Sequence, residues 1–125
     1  MLTGCPCGDG AYGACCGRFH AGEPAPTAEA LMRSRYAAFV LGDVAHLRRS
    51  WHPRTRPRRL DLDGGPAWTG LEILDRVDGG PDDDEGIVEF RAHHTGGVLH
   101  ERSRFVRENG AWLYVEALDV QALDI

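Results

Sequence analysis

The sequence predicts an α+β fold: two helices, then a four-stranded antiparallel meander, with the helices laid against one face of a curved sheet. Three features carry that reading. Apolar residues recur at helical spacing between 27 and 51, strand-like alternating segments fill 71–118, and two of the connections between those segments are the short glycine turns Thr95-Gly96-Gly97 and Glu108-Asn109-Gly110.

Thr27, just after Pro26, is suited to cap the first helix, with Glu29 in its first turn and Gly42 ending it after Leu41. Leu31, Met32, Tyr36, Phe39 and Val40 fall on one half of this helix, and Arg35 falls in the middle of that half. Asp43 caps a shorter helix in which Val44, Leu47 and Trp51 face the core, and Pro53 stops it near His52. A loop over 54–68 leads to strands predicted at 71–77, 87–95, 98–107 and 111–118, the first two separated by the acidic stretch 78–86.

A chain of 125 residues is the length of one ordinary domain plus a small appendage. Its 42% hydrophobic and 26% charged residues are those of a globular protein, and no apolar run approaches bilayer-spanning length, so no membrane role is expected. A formal net charge of −5 argues against a general polyanion binder. All fourteen basic residues are arginine, a composition bias on which no function rests. The opening residues MLTGCPCG carry neither a basic leader nor an apolar stretch, so the sequence places the chain in the reducing cytoplasm.

All four cysteines, Cys5, Cys7, Cys15 and Cys16, lie within the first sixteen residues. Four thiolates suit a closed tetrahedral zinc site without an open position for substrate. Disulfides are the weaker alternative, because loops between Cys5 and Cys7 or Cys15 and Cys16 are too small to close without strain and crosswise pairing needs an oxidising compartment. An iron–sulfur cluster also takes four thiolates, but at other spacings. One zinc supplies roughly 10–16 kcal/mol of apparent binding energy, enough to order a segment that has no core of its own.

CPCGDGAYGACCG resembles the SEC-C motif, a short zinc-binding knuckle known from the C-terminal tail of the preprotein translocase motor SecA. With LMRSRYAAFV, WHP and ERSRFVRENGAWLY following in order, nearly the whole chain resembles the YchJ-like proteins, small bacterial proteins that carry such a motif before a nuclear-transport-factor-two-like domain. The resemblance implies a cone-shaped (cystatin-like) sheet enclosing a cavity with the long helix, and a division into knuckle 1–20, linker 21–26 and domain 27–125. Seven residues separate Cys7 from Cys15 where the usual knuckle has eight, and the second knuckle of some family members is expected to be missing.

Strand alternation turns Leu99, Glu101, Ser103 and Phe105 toward the core, which predicts a direct Arg35–Glu101 ion pair in or beside the cavity, since either charge buried alone would be costly. A structural role for that pair is favoured over a substrate-orienting one. His52 beside Trp51 and His94 on the face of Val88, Phe90 and Ala92 are further candidates to line the cavity; Arg35, His52 and Glu101 together would suit general acid–base chemistry. His93 and His94 point to opposite faces and do not share a metal. No nucleophile elbow, phosphate loop or dinucleotide motif is present, so an enzyme reading rests on the cavity alone. The six arginines of 48–59 are read as a solvated loop neutralised by Asp82, Asp83, Asp84 and Glu85, in preference to a nucleic-acid surface.

These features favour a cytoplasmic zinc-binding adaptor: a rigid knob tethered to a domain that does not itself need the metal, with a protein or ribosomal partner. The alternative is a small-molecule-binding protein or enzyme using the cavity. Pairing of two copies through the outer face of the sheet is left open.

Overall fold

The computed structural model describes residues 4–8, 10–63 and 65–124, with side chains through 121; positions 1–3 and 9 of the predicted knuckle and positions 64 and 125 of the domain lie outside the described residues. A 3₁₀ turn, Tyr12–Ala14, and a short helix α1, Cys16–His20, precede helix α2, Ala28–Leu41, and helix α3, Val44–Arg49. Strands β1, Trp68–Asp78, β2, Glu85–His94, β3, Gly97–Glu108, and β4, Ala111–Asp124, form one antiparallel sheet in the order β1-β2-β3-β4.

The helix boundaries follow from capping. Thr27 Oγ1 accepts from Ala30 N at 3.0 Å, Asp43 Oδ1 accepts from His46 N at 3.0 Å, and Gly42 adopts the left-handed conformation, φ 75°, that ends α2. The inner face of α2 presents Leu31, Met32 and Tyr36 to Val88, Phe90 and Ala92 of β2 and Phe105 of β3, which form the core. Val40, expected among them, is 38% exposed; its neighbour Phe39 instead turns to Trp68 of β1.

The last strand exceeds its predicted end by six residues. Residues 119–124 pair with Gly97 to Arg102, and register shifts between Arg102 and Ser103 and between Arg104 and Phe105 interrupt the ladder. Such irregularities bend a strand locally, which is how a sheet curves around a helix.

Where α2 meets the β1–β2 turn, Ala28 N donates to Gly79 O at 2.9 Å, and a methyl group on Gly86 would lie 2.5 Å from Gly79 Cα and 3.2 Å from Ala28 Cβ. The obstruction is backbone and cannot rotate away. Gly86→Ala is expected to cost about 1–3 kcal/mol, read as a lower urea midpoint at unchanged slope.

The outer face of the sheet is covered by ion pairs. Arg102 bridges Asp75 at 3.1 Å and Glu89 at 2.8 Å, and His100 meets Glu89 at 2.6 Å. The acidic turn does not neutralise the arginine-rich segment as the sequence suggested: Asp84 pairs with Arg107, Glu85 with Arg104, and Asp83 accepts from Gly80 N. Arg48 and Arg56 instead hold their own loop, donating to the carbonyls of Pro57 and Arg58 and of Arg48.

Candidate metal centre and cavity

Cys5 and Cys7 flank the first turn of the chain, closed by hydrogen bonds from Cys5 N to Gly10 O and from Gly8 N to Cys5 O. Cys15 and Cys16 enter from the start of α1. All four sulfurs lie within 4.8 Å of one another, with Cys7 and Cys15 at 3.5 Å and Cys15 and Cys16 at 3.9 Å, so the shortened loop still brings every thiol to one point. Burial, then the hydrogen bond with Cys7, pushes the Cys15 thiol up to about 11; the hydrogen bond with Cys7 and burial push Cys16 upward as well. Cys15 and Cys16 must give up these protons for the cluster to bind a metal.

The knuckle is docked on the domain, contrary to the expectation of a tethered knob. Cys5, Cys7, Cys16 and Phe19 are buried in the same core as Leu31 and Met32. Phe19 lies on α1, a helical turn that the sequence reading of the knuckle did not predict. Arg33 Nη1 of α2 donates to Cys7 O at 3.0 Å, Arg49 Nη2 donates to His20 O at 2.7 Å, and Trp112 Nε1 donates to Pro26 O at 3.3 Å.

A latch that sequence reasoning missed completes the junction. His20 Nε2 donates to Ser34 O at 2.8 Å, which leaves Nδ1 to the Tyr12 hydroxyl at 2.7 Å, with Asp43 Oδ2 at 3.8 Å. His46, its ring 4.6 Å from that of His20, meets Ser34 Oγ at 2.9 Å through Nε2 and Arg49 Nη2 at 3.3 Å through Nδ1. The contacts that join the segments span the chain, from His20 to Ser34 14 residues on and from Ser34 to His46 12 residues on, so no local pattern marks these histidines.

Burial, then the proximity of His20 and Arg49, pushes the His46 imidazole down to about 3. The unfolded chain therefore binds this proton more readily than the folded one. The contribution of His46 is complete above about pH 6.5 and is lost as pH falls toward 3, at up to about 1.4 kcal/mol per pH unit. Chemical denaturation at pH 7 and pH 5 is expected to show that loss in the native chain and a shallower one in His46→Gln.

The second site is a cavity of about 260 Å³ between α2 and the sheet. Its walls are largely aromatic, from Tyr36 and Phe39 of α2, Trp51, Trp68, Phe90 and Tyr114. Arg35 and Glu101 both line it, but they do not form the predicted ion pair. Tyr114 comes between them: the Arg35 guanidinium lies 4.6 Å from the Tyr114 ring centroid and 4.7 Å from that of Trp51, while the Tyr114 hydroxyl donates to Glu101 Oε2 at 3.1 Å. Arg35 Nη1 donates to Leu47 O at 2.9 Å and to Ser50 Oγ at 2.7 Å, and Glu101 Oε2 also accepts from Ser103 Oγ. Burial pushes Arg35 down to about 10, against the pull of Tyr114 and Glu101, so it stays charged at neutral pH.

Neither candidate histidine lines the cavity. His52 Nε2 meets Glu108 Oε2 at 3.0 Å and its Nδ1 accepts from Arg54 N, because the turn at Pro53 carries the ring outward. His94 stacks edge-on against Trp68 at 5.2 Å and accepts from Gly96 N. His93, on the opposite face, meets Glu72 at 2.6 Å. Among the described residues, no helix is long and apolar enough to cross a membrane.

Comparison with known proteins agrees with this architecture. Residues 27–117 match the family model described as YchJ, middle NTF2-like domain. A UPF0225 protein of Streptomyces coelicolor is 64% identical over 114 residues, covering 90% of this chain and 92% of that relative. One of Chromobacterium violaceum is 50% identical over 123 residues, covering 91% of each. Among solved structures, a SEC-C motif containing protein of Rhodopseudomonas palustris superposes with a TM-score of 0.76 at 33% identity, covering 98% of this chain and all of that one. A SEC-C motif containing protein of Psychrobacter arcticus gives the same TM-score at 26% identity, covering 97% and 85%.

Proposed function

Because the chain belongs to the YchJ-like family, we propose that it is a cytoplasmic zinc-binding protein whose metal is structural and whose working site is the cavity of the cone. Zinc–sulfur bonds of about 2.3 Å in a tetrahedron put sulfurs about 3.8 Å apart, which the 3.5 and 3.9 Å separations at Cys15 fit. Cys5, Cys7, Cys15 and Cys16 fill all four positions, so the ion holds the knuckle on the domain and carries no substrate.

The observation that carries the working site is the unfilled interior: about 260 Å³ of mostly aromatic surface around a buried arginine. That is a little below the usual size of a ligand pocket and suits a small molecule. The native mass of protein purified without chelators is expected to exceed the denatured mass by one zinc less the protons it displaces. A bare native mass would overturn the metal assignment. A second, small-molecule mass is expected at partial occupancy and should vanish in Ala92→Phe, which fills the cavity; a mass that survives this change belongs to another site.

A second reading, an adaptor with a protein or ribosomal partner, draws on the exposed rim of the knuckle at Gly8, Gly10, Ala11, Gly13 and Ala14. In that case Ala11→Arg, with the metal retained, abolishes partner capture.

A further inference from the structure

We infer that the cavity takes a small organic carboxylate with a ring-sized apolar body and a hydroxyl or amino group within a few bonds of the acid, gripped by Arg35 and Glu101. This rests on the reading of the cavity as the working site and names its ligand class.

Arg35 is 4% exposed and no carboxylate lies within ion-pair distance of it among the described residues. Both Nη1 hydrogens are used, on Leu47 O and Ser50 Oγ, and the guanidinium packs against the Trp51 and Tyr114 rings, which meet each other edge-on at 5.2 Å. What remains is the Nε and Nη2 edge, a fork of parallel N–H donors that a carboxylate accepts through both oxygens. Neither nitrogen has a hydrogen-bond partner among the described residues, and neither is sealed off: the enclosed, unpartnered side-chain nitrogen there is Trp51 Nε1. The open space that Arg35 lines is this cavity.

A buried cation without an anion is costly, and an incoming carboxylate removes that cost where a neutral ligand does not. Glu101 argues against a bare anion and for a donor beside it. Its Oε2 already accepts from Tyr114 and Ser103, while Oε1 has no partner among the described residues and is left to accept from the ligand. The Tyr114 ring separates the two polar groups, a gap that an acid and a neighbouring hydroxyl or amine can bridge. The volume equals the liquid share of about eight or nine waters, room for one ring and a short acid tail.

Trp51 and Trp68 line the cavity, so intrinsic fluorescence reports its filling. The probes are 3-phenyllactate, its neutral counterpart 3-phenyl-1,2-propanediol, and 3-phenylpropanoate, which lacks the hydroxyl. Phenyllactate is expected to bind, with the diol weaker by about tenfold or more and phenylpropanoate intermediate. Arg35→Lys should weaken phenyllactate by a similar factor while leaving the diol unchanged. If that variant does not fold, the comparison of the three probes on the native chain decides. Diol binding equal to that of phenyllactate overturns the carboxylate assignment and leaves the cavity reading standing. Absence of binding by all three up to about 10 mM, a weaker interaction than about 3 kcal/mol, overturns both.

Discussion

Cys16→Ser, or removal of the metal by a chelator, is expected to lower the stability of the whole chain, by about 3 kcal/mol or more. Cys16 is 0% exposed, and with Cys5 and Cys7 it packs in the core that Leu31 and Met32 share with the sheet. When the knuckle loosens, those apolar surfaces open to water, and Arg33 and Arg49 lose the carbonyls of Cys7 and His20. Buried large-to-small changes in cores cost about 2–5 kcal/mol, and a loss of about 3 kcal/mol moves Tm by roughly 10 °C in a domain this size. Near-UV circular dichroism during a thermal scan separates the outcomes. A single transition at lower temperature is the expected result; an unchanged main transition would mean that the knuckle is a free appendage after all. Loading the metal at pH 7 should release at least the two protons held by Cys15 and Cys16, counted by calorimetry in buffers of different ionisation enthalpy.

Arg35→Ala is the other change with a large expected effect, a loss of about 3–5 kcal/mol. The guanidinium ties the end of α3 to α2 through Leu47 O and Ser50 Oγ, and Ser50 Oγ in turn donates to His46 O at 2.6 Å. It also packs against both the Trp51 and Tyr114 rings, where a desolvated cation–aromatic contact contributes up to about 2 kcal/mol. Arg35→Lys keeps the charge but cannot span two acceptors and two ring faces together, so an intermediate loss is expected. Urea unfolding at constant slope measures both. Equal stability of Arg35→Met and the native chain would show that the arginine is kept for binding alone.

Much of this architecture is legible locally. Thr27, Asp43 and Gly42 mark helix ends by chemistry that acts within four residues, and alternation along β3 turns Glu101 and Ser103 inward with Phe105. The four cysteines announce themselves by residue type. Contacts made across the fold are not legible. The Arg35–Glu101 pair fails because Tyr114, from a strand about eighty residues along from Arg35, occupies the gap. His52 leaves the cavity because the turn at Pro53 directs it to Glu108, 56 residues on. The knuckle's docking rests on Phe19 and His20, whose partners on α3 and α2 no spacing rule selects, with Tyr12 holding the His20 ring.

The sheet order follows the chain, each strand pairing with its neighbour in sequence. A chain emerging from the ribosome can therefore add strands one at a time, with little long-range closure to wait for. β4 comes last, and it brings both Trp112, which reaches back to Pro26, and Tyr114, which walls the cavity and separates Arg35 from Glu101. A chain cut before β4 therefore loses the tie to Pro26 and the Tyr114 wall together, and with them the proposed ligand site.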